Sequence, residues 1–254
     1  MPAGFREYAE NVRLKELFAK LGAVEPEILA KTAEYFTTKE AAKRDSIVVN
    51  YFGKEGINRI VDAVASRLVS PPKLPRKPVI LDVGAGSGFF TVRVADKIHV
   101  TLPEASFYAM DITPAMLISL AEKKAGITLF IGIAENIKGS VKEAQRHFKI
   151  PSRFDAVFST LMLHHSADPE KIFQSLATVL KKNGKAVIVD LCEHEFEEFR
   201  TEMGDAHLGF KPENIEKMAR EHFPWVKVEK IPGIRCESSG RSAGIFVASM
   251  RSSP

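Results

Sequence analysis

The sequence predicts an α/β protein built on a doubly wound, largely parallel sheet with helices on both faces. Three observations carry this: an apolar strand running into a glycine-dense turn at residues 79–88, an alternation of strand and helix signals from there to residue 190, and 254 residues, enough for one large core. The strand is Val79-Ile80-Leu81-Asp82-Val83, and Gly84-Ala85-Gly86-Ser87-Gly88 follows before Phe89-Phe90 opens a helix. Glycines at 84, 86 and 88 let the backbone turn sharply and let a ligand approach without meeting a side chain. A turn of this kind is expected to hold a nucleotide-like cofactor.

The elements follow in order. The first helix is expected over 88–97, and a second strand over 106–110 ends at Asp111. Pro114 opens the next helix, where its missing N–H is no loss. Residues 127–131 read as the third strand, followed by Gly132-Ile133-Ala134-Glu135-Asn136. The fourth strand, 154–159, runs into Thr160-Leu161-Met162-Leu163-His164-His165, and Asp168-Pro169 starts a helix to Leu180. Lys181-Lys182-Asn183-Gly184-Lys185 reads as a helix stop with a left-handed C-cap at Asn or Gly, and 186–190 as the fifth strand. Beyond it are expected a helix over 212–222 and strands over 226–231 and 244–250, paired as a hairpin through a Gly/Ser-rich loop at 233–242.

Residues 1–75 stand apart as a helical extension with a linker, leaving 76–254 as the sheet domain. Amphipathic helices are expected over 5–21, 26–35, 38–50 and 56–69, closed by Ser70-Pro71-Pro72-Lys73-Leu74-Pro75. Tyr35, Phe36, Tyr51 and Phe52 are candidates either for a pocket wall or for core packing.

Composition excludes several classes. Hydrophobic content of 45% and charged content of 27% belong to an ordered globular protein. No stretch reaches the ~20 apolar residues of a membrane span, and Arg6, Glu7 and Glu10 interrupt any signal-peptide core, so a cytoplasmic protein is expected. The two cysteines, Cys192 and Cys236, form no disulfide framework. The net charge of +4 is spread in pairs such as Lys43-Arg44, Lys123-Lys124 and Lys181-Lys182, without a phosphate-tracking stripe, which disfavours nucleic acid as a partner.

The spacing narrows the cofactor. G-x-G-x-G with Phe89 in sixth place departs from the dinucleotide fingerprint G-x-G-x-x-G. Asp82, two residues before the first glycine, would repel a pyrophosphate but suits an ammonium group or a loop amide. Asp111 at the end of the second strand suits the two hydroxyls of a ribose; its competing role is at a helix N-cap, to which Thr113 stands closer.

Residues 80–88 resemble the first motif of the class I S-adenosylmethionine-dependent methyltransferases, hh[DE]hGxGxG, and match it throughout. The resemblance covers residues 77–250. It implies a seven-stranded mixed sheet in the order 3-2-1-4-5-7-6 with the seventh strand antiparallel. S-adenosylmethionine is then the cofactor, with Asp82, Gly84, Ala85, Gly86, Gly88, Asp111, Ile112, Ala134, Glu135 and Ser159 at its site. His164-His165 looks like the "LHH" segment of the branch resembling ubiquinone and menaquinone C-methyltransferases, and in related enzymes N-terminal helices cover the cofactor.

Methyl transfer from a sulfonium is an in-line displacement in which positioning supplies much of the acceleration. An acceptor enters beyond the carboxyl ends of the strands, which makes His164, His165 and His194 the candidate catalytic groups. Two adjacent histidines do not usually face the same way, so at least one of the first two is expected to be structural. Asp190, Cys192, His194, Asp205 and His207 are also able to ligate metals, but their spacing matches no compact zinc signature and no metal is expected. Ser159-Thr160-Leu161-Met162 stands where amino-methylating nucleic-acid enzymes carry [DNS]-P-P-[YFW]. The Pro-Cys of RNA cytosine-C5 enzymes is absent, and two cysteines are too few to hold arsenic. The expected partner is a small-molecule acceptor methylated at O, N or C. An RNA or protein methyltransferase and a non-catalytic S-adenosylmethionine-binding module are the alternatives, and the oligomeric state stays open.

Overall fold

Seven strands form a single sheet in the order β3-β2-β1-β4-β5-β7-β6, the order that the methyltransferase resemblance implies. In this computed structural model residues 4–35, 38–202, 204–238 and 240–254 are described. The helices α1 (Phe5–Asn11), α2 (Leu14–Lys20), α3 (Pro26–Tyr35) and α4 (Thr38–Val69) precede the sheet. Then come β1 (Val79–Val83), α5 (Phe89–His99), β2 (Ser106–Asp111), α6 (Pro114–Glu122), β3 (Thr128–Ile131), α7 (Ile137–Ala144) and β4 (Phe154–Thr160). The chain continues through α8 (Pro169–Val179), β5 (Leu180–Leu191), α9 (Glu198–Glu202), α10 (Pro212–Arg220), β6 (Trp225–Ser238) and β7 (Arg241–Arg251). Strands β1 to β5 pair in parallel, and β7 runs antiparallel to both β5 and β6.

Alternation along the strands splits the core into two layers. Ile80, Phe107, Ala109, Phe158, Val187 and Val247 face one way, where α4, α5, α6 and the N-terminal helices pack. Leu81, Val83, Met110, Phe130, Val157 and Phe246 face the other way, toward α7, α8 and α10. The period of two that places successive side chains on opposite faces thus fills both layers with apolar groups, as a buried parallel sheet requires. Phe5 and Phe18 of the N-terminal helices are fully buried in the first layer. Among the described residues no helix is long and apolar enough to cross a membrane.

Several boundaries differ from the sequence reading. The helix expected over 5–21 breaks at Val12-Arg13, which are extended. The two helices expected over 38–50 and 56–69 are joined at Gly53, whose φ of 59° and ψ of 172° kink α4. Helix α7 is a further element, capped by the Asn136 side chain, which accepts from the Gly139 amide at 2.9 Å. The loop expected at 233–242 is mostly strand: the chain bulges between Ile231 and Arg235 and then resumes pairing out to Ser238↔Arg241. A glycine in a bulge reads in sequence like a glycine in a turn, which is the reason for the difference. Helix α8 ends at Val179 with extended Leu180, and the left-handed residue, Asn183, lies four residues further on.

Lys185 of β5 is buried, and its ammonium donates to the carbonyls of Leu68, at 2.8 Å, and of Ser70. It thereby caps the C-terminal end of α4 and fastens the helical extension to the middle of the sheet. Lys185→Met, which keeps the stem and removes the donors, is expected to lower the free energy of unfolding by ~1.5–3 kcal/mol with an unchanged far-UV spectrum, as read from denaturant melts.

Candidate functional site

The carboxyl ends of β1, β2, β4 and β5 lie side by side, and the chain leaves each by a turn. At the end of β1 the amides of Gly84 and Ala85 both donate to the Met110 carbonyl of β2, at 2.9 and 3.0 Å. The three glycines have φ of 74°, 53° and 75°, a left-handed conformation that costs other residues energy. Added Cβ atoms would lie 2.2 Å from Met162 Cγ at Gly84 and 2.1 Å from Leu120 Cδ1 at Gly88, so these two glycines admit protein neighbours. At Gly86 an added Cβ would meet nothing within 4 Å, which makes this stretch of backbone the open floor on which a ligand can lie.

Asp111 organises this floor. One carboxylate oxygen accepts from the Gly86 amide at 2.8 Å and the other from the Thr113 amide at 2.9 Å. The Thr113 hydroxyl and the Ile112 amide also act on this carboxylate, an acceptor-only group of the kind that suits hydroxyl donors. Ile112, half-buried, follows it. Asp82 lies beneath the turn, buried, with one oxygen accepting from Thr91 at 2.6 Å and the other without a partner. Burial above all, with the Asp111 charge added and the Thr91 hydrogen bond opposing, pushes its pKa up to about 7. That orphaned oxygen fits an ammonium group placed on the turn.

Ala134 and Glu135 form a half-buried 3-10 turn after β3. The following residue, Asn136, donates its side-chain amide to the Leu21 carbonyl at 2.8 Å, linking the turn to the N-terminal helices. Ser159 is fully buried and its hydroxyl donates to the Val83 carbonyl at 2.7 Å, so its side chain braces the end of β1.

Beyond β4 a 3-10 turn, Leu163–His165, carries both histidines. Asp190 at the end of β5 accepts from the Leu163 amide at 2.8 Å and from the Leu191 amide at 2.7 Å, and holds His164 Nδ1 at 2.6 Å. Although adjacent, the two imidazoles converge, with ring centroids 4.0 Å apart. Burial opposes the charge on His164, but the Asp190 carboxylate, by charge and hydrogen bond, and Asp205 outweigh it and raise its pKa. Burial and the His164 charge push the pKa of His165 far down. His194 stacks on Phe196 at 5.1 Å, and its Nε2 is buried without a partner.

The segment after α9 roofs this corner: the His207 amide donates to the His164 carbonyl, and Phe210 exchanges backbone bonds with Leu191 and Glu193. It brings buried Asp205 to His164, with Oδ1 3.6 Å from Nε2. His207 spends its ring on the Ser166 carbonyl, and Cys192 is buried in the bridge to Phe210.

Sequence reasoning missed Arg44 and Asp45 of α4. Asp45 accepts from the Ser87 hydroxyl at 2.6 Å and pairs with Lys123 at 2.6 Å, tying α4 to the glycine turn. The charge of Arg44 acts on His164, His165 and Asp205. Nothing local marks two charged residues on an amphipathic helix, so only the fold could find them. Tyr51 and Phe52 line a cleft of about 570 Å³ between the α4 kink and the β6–β7 bulge, away from the glycine turn. Phe36 and the side chain of Tyr35 lie outside the described residues.

Residues 76–226, more than half of the chain, match the family described as "Methyltransferase domain". The chain belongs to this methyltransferase family. S-adenosylmethionine is its cofactor, and the open backbone at Gly86 beside the Asp111 carboxylate fits a nucleoside of this kind. The malonyl-[acyl-carrier protein] O-methyltransferase of Magnetococcus marinus is 27% identical over 60% of this chain and 52% of its own length. The mitochondrial ubiquinone biosynthesis O-methyltransferase of Schizosaccharomyces pombe is 34% identical over 43% of this chain and 36% of its own. The chain thus spans about half or less of the curated relatives it matches. A solved phosphoethanolamine N-methyltransferase 2 of Haemonchus contortus superposes with a TM-score of 0.61 at 16% identity, covering 96% of this chain and 60% of that one, and shows the shared fold.

Two predictions follow from the strand ends. Asp111→Ala is expected to weaken S-adenosylmethionine binding by ~1–3 kcal/mol in calorimetry and, because the Gly86 and Thr113 amides lose their acceptor, to lower the melting temperature as well. For Asp82, whose carboxyl is pushed up to about 7 when folded and keeps the ordinary 3.8 when unfolded, the folded protein holds an extra proton between those values. Stability therefore falls as pH rises from ~4 to ~7, and Asp82→Asn is expected to remove ~2–4 kcal/mol of that fall, seen by comparing melts of the two proteins across this range.

Proposed function

We propose that the protein transfers the methyl group of S-adenosylmethionine to an oxygen of a small-molecule acceptor held against the His164–Asp190 corner. The observation that carries this reading is a polar cluster of buried His164, Asp190 and Asp205 with the more exposed His165, which begins two residues beyond the Met162 that packs on Gly84. An acceptor in that corner stands next to the cofactor turn at the carboxyl edge of the sheet, where α/β proteins bind their ligands.

The cofactor supplies a methyl group already activated on a sulfonium. The transfer breaks the carbon–sulfur bond and forms the carbon–oxygen bond, and the acceptor oxygen gives up its proton. The chain's contribution is alignment and the handling of that proton. Gly84, Ala85, Gly86 and Gly88 with Asp82 are assigned to the amino-acid end of the cofactor, Asp111 and Ile112 to the ribose, and Ala134 and Glu135 to the adenine. Ser159 keeps the turn in place. His164, His165 and His194 are assigned to the acceptor side; His165, held neutral, carries a lone pair suited to bind rather than to protonate. The printed names of the Magnetococcus and Schizosaccharomyces relatives, both O-methyltransferases, support an oxygen acceptor. The Asp45–Ser87 contact supports a covering role for residues 1–75 over the cofactor.

Release of S-adenosylhomocysteine is to be followed with a panel of hydroxyl- and carboxyl-bearing acceptors. Turnover is expected with at least one, and His164→Ala/His165→Ala is expected to reduce kcat by ~10²–10⁴ while cofactor affinity is kept. Full turnover by that double variant overturns the assignment of the corner. Turnover on RNA or protein alone moves the acceptor to a macromolecule, and tight cofactor binding with no turnover on any acceptor leaves a binding module.

A further inference from the structure

The corner beyond β4 and β5 concentrates lone pairs more than methyl transfer needs. His164 Nδ1 faces the Asp190 carboxylate at 2.6 Å, and His165 Nδ1 faces the Gly204 carbonyl at 3.1 Å. Both partners are pure acceptors, so each Nδ1 carries a hydrogen, and in the neutral form of both rings each Nε2 presents a lone pair. Asp205 adds two carboxylate oxygens, both buried and without a hydrogen-bond partner among the described residues. One atom from each of His164, His165 and Asp205 lies within 4.8 Å of the others. Lone pairs gathered this closely repel unless a proton or a cation stands among them.

We infer that His164 Nε2, His165 Nε2 and an Asp205 oxygen form a binding site for one divalent transition-metal ion. Ligands at ~2.0–2.2 Å from a tetrahedral ion stand ~3.3–3.6 Å apart, and the 3.6 Å between His164 Nε2 and Asp205 Oδ1 already has that spacing. The Nδ1–H bonds to a carboxylate and to a backbone carbonyl are those that fix the ring and tautomer of metal-bound histidines. Imidazole with carboxylate selects ions of the zinc, iron, cobalt and manganese group over magnesium or calcium, which prefer oxygen alone. The rows of ligands come from two segments, the turn after β4 and the segment after α9, so the ion would also pin the roof of the corner to its floor. Three protein ligands leave a coordination position open. That this position takes the acceptor's oxygen rests on the methyl-transfer reading above; the binding of the ion does not. The site differs from the set suggested by sequence, since Cys192 is not in the cluster, His207 Nε2 is spent on the Ser166 carbonyl and Asp190 stands behind His164 rather than beside the ion.

Untagged protein, purified without chelators, is to be analysed by inductively coupled plasma mass spectrometry, and the metal-stripped protein titrated with Zn²⁺, Mn²⁺ and Co²⁺, with Mg²⁺ as control. One equivalent of transition metal per chain is expected, bound at least tenfold more weakly by Asp205→Asn and by His165→Ala. The visible spectrum of the Co²⁺ form is expected to change in both variants. His165 lies nearer the surface than Asp205, and its variant keeps the test valid where the buried one unfolds. No binding by the wild type, or equal binding by wild type and both variants, overturns the site; the latter marks an adventitious ion only. S-adenosylmethionine affinity measured on the same samples separates the two readings: its loss in the wild type would sink the methyltransferase reading, whereas metal is scored by stoichiometry alone.

Discussion

Carboxylates at the ends of buried strands hold this molecule's working edge together. Where a parallel sheet stops, main-chain amides lose their ladder partners in a place too crowded for water to replace them all. Asp111 takes the amides of Gly86 and Thr113, and Asp190 takes those of Leu163 and Leu191. Each acid thereby fixes a loop belonging to another strand: Asp111 of β2 sets the turn after β1, and Asp190 of β5 sets the turn after β4. Charge-assisted bonds of this kind are short and directional, so the geometry of both halves of the site is inherited from the sheet register rather than from the loops.

The helical extension is bound into the same scheme. Its apolar faces share the layer that covers one side of the sheet, with Phe5 and Phe18 fully buried. Its polar contacts reach the site: Asp45 to Ser87 of the glycine turn, the Leu21 carbonyl to Asn136 beside Ala134 and Glu135, and Lys185 back from β5 to the end of α4. The first two contacts are hydrogen bonds at the rim, whereas the third is a buried cation at the far end of the helix. Opening at the rim would therefore leave the Lys185 anchor intact, with Gly53 at the kink between them.

The turn after β1 and its tie to Asp111 were legible because they are local. Glycine spacing, Asp82 and Asp111 all lie within a βαβ unit whose geometry is fixed by strand and turn, and the strand order came with the resemblance. Chemistry built from distant segments was not legible. Arg44 and Asp205 reach His164, and Asp45 reaches the glycine turn, only through the packing of α4 and of the segment after α9, and spacing alone did not place Asp205 beside His164. His164-His165 failed in the opposite way: adjacency suggested divergence, but the tight turn after β4 and the pull of Asp190 on one ring and Gly204 on the other bring them together. The 233–242 segment misled because bulge and turn use the same residue types.

The protonation of Asp82 bears on how such an acidic edge stays compatible with the reaction. Ionised carboxylates beside a positively charged ligand favour the bound reactant more than a transition state in which that charge is dispersing, and interactions that are stronger in the ground state slow the step. Asp82, nearest the turn and fully desolvated, is driven toward its neutral form by burial and by the Asp111 charge. Asp111 already divides its charge between two amides, and Asp190 spends its own on Leu163, Leu191 and His164. Asp82, Asp111 and Asp190 are thus either neutralised or committed to partners within the protein. These three carboxylates build the edge while holding little free negative charge against the reactant, which leaves alignment as the protein's main lever on the rate.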